Sequence, residues 1–115
     1  MPEMIRRCSA ALTALIPGSR PVPFGHIGDG NIHMNLEQPV GMDPAAFLAR
    51  GHDIMDCVNA IVRDLDGSFS AEHGIGRLKT DMMAEWRGGA ELAAMQAIKA
   101  ALDPWGIMNP GKVLP

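Results

Sequence analysis

The sequence lacks the features of several classes of protein. No stretch of its 115 residues approaches the ~20 consecutive apolar residues of a membrane-spanning helix, so no membrane span is predicted. The 10 basic side chains form no run and are outnumbered by 13 acidic ones, which argues against a nucleic-acid-binding surface. Neither a G-x-G-x-x-G dinucleotide pattern nor a P-loop is present, so a phosphate cradle is not indicated.

Cysteine is also scarce, since the chain has only Cys8 and Cys57. Each lies inside a predicted helix, which favours buried thiols in a reducing compartment over a disulfide, and we expect a cytoplasmic protein. The first residues could be mistaken for a signal peptide, but the apolar side chains recur at helical spacing up to a stop signal at residues 17–18. The apolar positions of this helix are Met4, Ile5, Cys8, Ala11, Leu12, Leu15 and Ile16.

The segment FGHIGDGNIHMNL, residues 24–36, predicts a β-hairpin. Asp-Gly at 29–30 is a strong two-residue turn signal, and a turn centred there places His26 opposite His33. Opposed residues have Cβ atoms ~5 Å apart, so two imidazoles could share one ion. Alternation gives the hairpin a polar face towards a site and an apolar face towards the helices. The polar face carries His33 and Asn35, and the apolar face carries Ile32, Met34 and Leu36.

Further elements are predicted after the hairpin. Asp-Pro begins a long helix over residues 43–65, because aspartate is a favoured N-cap and proline is favoured at the first helical position. A short strand is predicted over residues 68–72 and a last helix over residues 92–102. Residues 79–89 are poorly periodic, and residues 105–115 form a tail rich in proline and glycine.

The order of elements predicts an α+β fold. A small antiparallel sheet with helices on one face accounts for a helix, a hairpin, a helix, a strand and a helix in succession. Three strands make a thin sheet. The chain is therefore expected to be a piece of a larger fold, with further strands supplied from outside it.

A second polar cluster, Glu72 and His73, lies in the segment SAEHGIGRLK. Neighbours in a regular strand point to opposite faces, but the glycines at 74 and 76 suggest that the strand breaks, which would let both side chains reach one cavity. His26, His33 and Glu72 would then form a set of ligands that suits a divalent transition metal with open positions. A simpler interpretation also fits, because histidines near a turn and a single glutamate are common at ordinary surfaces.

Three segments together resemble the C-terminal part of the FAD-linked oxidase family, which includes D-lactate, glycolate and D-2-hydroxyglutarate dehydrogenases. They are FGHIGDGNIHMNL, SAEHGIGRLK and IKAALDPWGIMNPGKVLP, and they occur in the family's order over residues 24–115. The form GIGRLK favours the D-2-hydroxyglutarate dehydrogenase branch.

The resemblance implies a flavoenzyme with an FAD domain and a ferredoxin-like cap domain that carries substrate groups. Such an enzyme oxidises a small 2-hydroxy acid to the 2-oxo acid and passes hydride to the flavin. The positions that match the family's metal ligands, with zinc as the first choice, are His26, His33 and Glu72. Asn35 and His73 match substrate contacts, with His73 as the general base, and Asn109 would approach the flavin.

The sequence departs from the family in what it does not contain. The family's glycine-rich FAD domain and the groups that bind the distal substrate carboxylate lie upstream of the matched motifs. The resemblance therefore implies a partial cap domain over residues 1–104 and a tail, 105–115, that packs on a separate FAD domain. We expect such a chain to be inactive alone and prone to self-association through an exposed sheet edge.

Two other functions fit the same residues. One is a small stand-alone domain that binds a metal, or hydrolyses a substrate with it, through the same three ligands and without flavin. The other is a non-catalytic structural fragment whose sheet edge pairs with another chain.

Overall fold

The structure, a computed structural model, describes residues 1–70 and 72–115, and the chain divides into two units between residues 71 and 72. The first unit contains α1 (Pro2–Leu15), β1 (Arg20–His26), a 3₁₀ turn (Ile27–Asp29), β2 (Asn31–Glu37), α2 (Pro44–Ala49) and α3 (Gly51–Asp64). The second contains α4 (Thr80–Trp86) and α5 (Ala90–Leu102). The predicted α+β class is confirmed. The ferredoxin-like arrangement stays a prediction, since only two strands form in the described residues.

The core of the first unit lies where α1 packs against α3 and the hairpin. Cys8 and Leu12 have no exposed surface, and Val62 of α3 is buried, which confirms the apolar stripe predicted for the first helix. The helix ends before Pro17, as predicted. Arg7 joins the two helices through an ion pair to Asp64, with 2.6 Å between Nη1 and Oδ2.

The long helix predicted over residues 43–65 is interrupted. Asp43 caps α2 as expected, because its Oδ2 accepts a hydrogen bond of 2.9 Å from the N–H of Ala46. The chain then tightens at Arg50, whose N–H donates to the carbonyl of Phe47 three residues back, and α3 begins at Gly51. Glycine is about 1 kcal/mol less favourable than alanine inside a helix, so this is the point at which the helix breaks most easily. Apolar periodicity continues across such a break and does not reveal it.

The strand predicted over residues 68–72 is wrong for the described part, and residue 71 lies outside the described residues. Ser68 instead makes a local turn, in which its hydroxyl accepts from the N–H of Ser70 at 3.3 Å and donates to the carbonyl of Ser70 at 3.2 Å. Such side-chain bonds to nearby backbone compete with a strand ladder. The helix α4 was not predicted, and its buried side chain is that of Met83.

The last predicted helix is confirmed, because α5 ends at Leu102 just before Asp103-Pro104. Across residues 1–70 and 72–115, no helix combines the length and the apolar character that crossing a membrane requires. Cys8 and Cys57 are both free thiols. Burial raises the pKa of both, and for Cys8 the neighbouring Cys57 raises it further. The cytoplasmic location stays a prediction.

Candidate functional site

The hairpin pairs in a different register from the one predicted. Phe24 lies opposite His33, and His26 lies opposite Asn31, so the prediction that His26 and His33 face each other directly is wrong. His26 is fixed at this end of the hairpin, because its N–H donates to Oδ1 of Asn31 at 3.0 Å.

The length of the connecting loop explains the change of register. Four residues separate the strands, and the first three form the 3₁₀ turn Ile27–Asp29. Gly30 closes this turn with a left-handed φ of 74°, and its N–H donates to the carbonyl of Ile27 at 3.3 Å. The glycine of the Asp-Gly pair therefore ends a longer turn, a position that also favours glycine, and is not the second central residue of a two-residue turn.

Both histidines nevertheless lie on one face of the hairpin. Opposed residues of an antiparallel pair share a face, and His26 lies two residues after Phe24, the partner of His33. The two histidines are thus diagonal neighbours. Such residues lie ~7–8 Å apart, with their Cβ atoms somewhat closer, which is within reach of long and aromatic side chains. In the observed register both histidines therefore stay on the predicted face, but they lie farther apart than the directly opposed pair that was predicted.

The predicted alternation along β2 is confirmed. Asn35 is exposed on the face of His33, whereas Met34 and Leu36 are half-buried on the opposite face. At the far end of the polar face, Arg20 and Glu37 are paired across the strands, with 2.7 Å between Nη2 and Oε2.

Gly25 allows the two strands to approach closely beside the histidines. A Cβ atom on Gly25 would lie 2.4 Å from the carbonyl oxygen of Asn31 and 3.0 Å from Cα of Ile32. Both are backbone atoms, which cannot move aside as a side chain can. The glycine is therefore required by the geometry of the hairpin at this point.

Sequence reasoning missed the contact between Phe24 and His33. Their rings are stacked, with centroids 4.8 Å apart and planes inclined by 11°. The two residues are nine positions apart in the sequence, and only the correct register would have revealed them as a pair.

The second unit opens with Glu72 and His73, both exposed. A carboxylate oxygen of Glu72 and a ring nitrogen of His73 lie within 4.8 Å of each other, although the residues are neighbours in the chain. Backbone at Gly74 and Gly76 is left-handed, with φ of 69° and 56°. The strand that these glycines were predicted to break does not form in the described residues, but the side chains of Glu72 and His73 come close to each other, as that prediction required.

Asn109 lies in a tail that Asp103 organises. The buried carboxylate of Asp103 accepts hydrogen bonds of 2.9 Å from the N–H groups of Ile107 and Met108. Lys99 also bonds this carboxylate, and its Nζ donates to the carbonyl of Met108 at 2.5 Å. The Lys99 hydrogen bond, supported by the two N–H groups, holds the pKa of Asp103 below its usual value against the effect of desolvation. Asn109 follows with a left-handed φ of 48°.

Each unit carries donor groups of the types that divalent transition metals bind. The first unit offers two imidazoles on one face of a hairpin, and the second offers a carboxylate beside an imidazole. Imidazole nitrogen and carboxylate oxygen are the ligand types of catalytic zinc and non-haem iron sites.

A shallow apolar cleft lies next to Asn109 in the described part of the second unit. This cleft has a volume of about 400 Å³ and is lined mainly by apolar side chains of α5 and the tail. Asn109 therefore lies beside an exposed apolar surface of the second unit.

Comparison with curated proteins finds relatives that include three named enzymes. The chain is 41% identical over 113 residues to D-2-hydroxyglutarate dehydrogenase of Stutzerimonas stutzeri, covering 98% of this chain and 24% of the relative. It is 39% identical over 90 residues to D-lactate dehydrogenase of Anaerostipes hadrus, covering 78% of this chain and 19% of the relative. It is 38% identical over 90 residues to glycolate oxidase subunit GlcD of Escherichia coli K12, covering 78% of this chain and 18% of the relative.

These alignments share one property, namely that the chain spans only about a fifth to a quarter of the length of each relative. Residues 1–113 also match the family model described as "FAD linked oxidases, C-terminal domain". The match extends the resemblance found in the three motifs to nearly the whole chain. The chain belongs to the FAD-linked oxidase family and corresponds to the C-terminal domain of that family.

Proposed function

We propose that the chain is the C-terminal part of an FAD-dependent dehydrogenase that oxidises a D-2-hydroxy acid to the 2-oxo acid. The observation that carries the proposal is the family match over residues 1–113. The relatives named above act on lactate, glycolate or 2-hydroxyglutarate, so the substrate class is a small 2-hydroxy acid.

His26, His33 and Glu72 would hold a divalent metal, with Zn²⁺ as the first choice. Two neutral imidazoles and one carboxylate are a ligand set that leaves coordination positions open for substrate. The placement of both histidines on one hairpin face supports this assignment. When bound, the metal supplies Lewis-acid polarisation of the substrate hydroxyl.

His73 would act as the general base and accept the hydroxyl proton on a ring nitrogen. Its separation of at most 4.8 Å from the Glu72 carboxylate supports a base beside a metal ligand. Asn35, exposed on the face of His33, would donate an amide hydrogen bond that orients the substrate. When bound, the flavin supplies the acceptor for hydride from the α-carbon.

The FAD would be held mainly by a domain outside these 115 residues, with the tail 105–115 packed on it. Apolar side chains at the end of α5 and in the tail are exposed, which supports a docking role. They are Ile98, Leu102, Trp105, Ile107 and Met108. Asn109 would reach the flavin from this surface. Both strands of the two-stranded sheet are edge strands, so the isolated chain would also tend to self-associate.

A chimera tests this function. Residues 1–113 would replace the matching segment of the Stutzerimonas stutzeri relative, and flavin reduction would be followed with D-2-hydroxyglutarate, D-lactate and glycolate. We expect reduction by at least one of the three acids, and none in the same chimera carrying Glu72→Gln. A chimera that retains its flavin and its metal but is reduced by none of them would contradict the proposal.

A further inference from the structure

Phe24 occupies an unusual place for a phenyl ring. It projects from the polar face of the hairpin, and 54% of its surface is exposed. Its neighbours on that face of β1 include Arg20 and His26, so the ring does not belong to the apolar core formed by α1 and α3. Its specific contact is with the imidazole of His33.

The contact has the geometry of a true ring stack. The centroids are 4.8 Å apart and the planes differ by 11°, which falls within the range of ~4.5–7 Å for interacting aromatic pairs. The residues are directly opposed across the strands, the relationship that brings Cβ atoms closest in a hairpin.

The backbone on either side of Phe24 holds this stack in place. Gly25 brings the two strands into close approach at the next position, and the N–H of His26 donates to Asn31 at 3.0 Å. The phenyl ring is therefore carried by a fixed segment of β1, although more than half of it faces solvent.

A stack on the face of an imidazole constrains that ring in a particular way. The lone pair of an imidazole nitrogen lies in the ring plane, so a neighbour on the face leaves the ring edge available to a ligand. The same neighbour opposes rotation about the bond between Cβ and the ring, which would swing the nitrogens out of alignment.

We propose that Phe24 is a positioning residue for His33, fixing the plane of the imidazole and with it the direction of the nitrogen that binds the metal. The inference rests on the proposed function, in which His33 is a metal ligand. Orienting groups of this kind strengthen metal binding because the ligand need not be ordered when the metal arrives.

Three variants separate stacking from general effects on the hairpin. Phe24→Leu keeps apolar bulk and removes the ring, whereas Phe24→Tyr keeps the ring. Arg20→Met removes the ion pair to Glu37 at the far end of the same face and leaves the stack untouched. Zinc affinity would be measured by competition with a chromophoric chelator. The ring-proton chemical shifts of His33 would be measured by NMR on the metal-free chain.

We expect Phe24→Leu to bind zinc about three- to tenfold more weakly, which is the range that an aromatic pair contributes. Phe24→Tyr and Arg20→Met should stay within about twofold of wild type. The ring-current shift of His33 should disappear only in Phe24→Leu. Unchanged zinc affinity in Phe24→Leu would overturn the inference, and so would an equal loss in all three variants, because the effect would then follow hairpin stability.

The two measurements also separate this inference from the proposed function. A wild-type chain that shows the ring-current shift but takes up no zinc refutes His33 as a ligand, and the positioning role falls with it. A wild-type chain that binds zinc through His33 without the shift refutes the role of Phe24 alone.

Discussion

Glu72 and His73 are adjacent in the sequence, yet a carboxylate oxygen of one and a ring nitrogen of the other lie within 4.8 Å. Glu72 is the proposed metal ligand and His73 the proposed base, so the loss of each side chain should have a different effect in the chimera. Glu72→Gln should lower metal content and activity together. His73→Gln should keep the metal and slow flavin reduction by ~10²–10⁴, the usual contribution of a general base.

Rapid-mixing flavin reduction, combined with elemental analysis of the same samples, measures both quantities. If His73→Gln strips the metal and Glu72→Gln keeps it, the two roles are reversed. If His73→Gln is reduced within about tenfold of the wild-type rate, His73 is not the base.

Gly25→Ala should destabilise the first unit, because the new methyl group would lie 2.4 Å from the carbonyl oxygen of Asn31. Overpacking against backbone costs about 1–3 kcal/mol in free energy of unfolding. Gly28→Ala is the matched control, since nothing lies within 4 Å of a Cβ at that position. Urea unfolding followed by circular dichroism gives both values, and equal stability of the two variants would show that the strands do not approach closely at Gly25.

The carboxylate of Asp103 should make the stability of the tail depend on pH. The Lys99 hydrogen bond lowers the folded-state pKa of Asp103 below its ordinary value of 3.8. The ionised form is therefore favoured by folding, so the stabilisation is fully present above pH 3.8 and is lost as the pH falls through the lower, folded-state pKa.

Amide hydrogen exchange at Ile107 and Met108, whose N–H groups bond Asp103, reports this directly. The protection of these two amides against exchange should persist at pH 5 and decrease in acid. The Asp103→Asn variant should not show this acid-dependent loss of protection. Lys99→Gln should shift that loss to higher pH, towards the ordinary aspartate range. Protection that is independent of pH in the wild type would show that Asp103 does not hold the tail.

The chain alone should not bind FAD tightly, because its sequence has no glycine-rich loop of the kind that holds the pyrophosphate of a dinucleotide. Flavin fluorescence titration of the purified chain should give a Kd weaker than about 1 μM, with no oxidation of D-lactate or D-2-hydroxyglutarate. A tighter complex would mean that these residues form a flavin site of their own.

The parts of the fold that the sequence predicted are those governed by regular repetition or by a cap. The stripe that buries Cys8 and Leu12 repeats at helical spacing, and Asp43 with the proline after it marks a helix start by a local hydrogen bond. Alternation likewise placed Asn35 on the polar face.

The errors arose where one residue type serves two structures. Asp-Gly fits a two-residue turn, but Gly30 ends a 3₁₀ turn, and the register moved so that His26 pairs with Asn31. The helix break at Arg50 and the Ser68 turn depend on local hydrogen bonds that apolar periodicity does not record. The stack of Phe24 on His33 could not be predicted, because it depends on the strand register, which was predicted wrongly.

The most direct test of the account is the metal content of the chain after loading with zinc and desalting. We predict about one equivalent in the wild type, from a single site of two imidazoles and one carboxylate. We predict loss of that equivalent in His33→Ala, and retention in His52→Ala, which removes an exposed histidine of α3 as the matched control. Wild-type stoichiometry in His33→Ala would contradict the account, because the polar face of the hairpin would then not be the metal site.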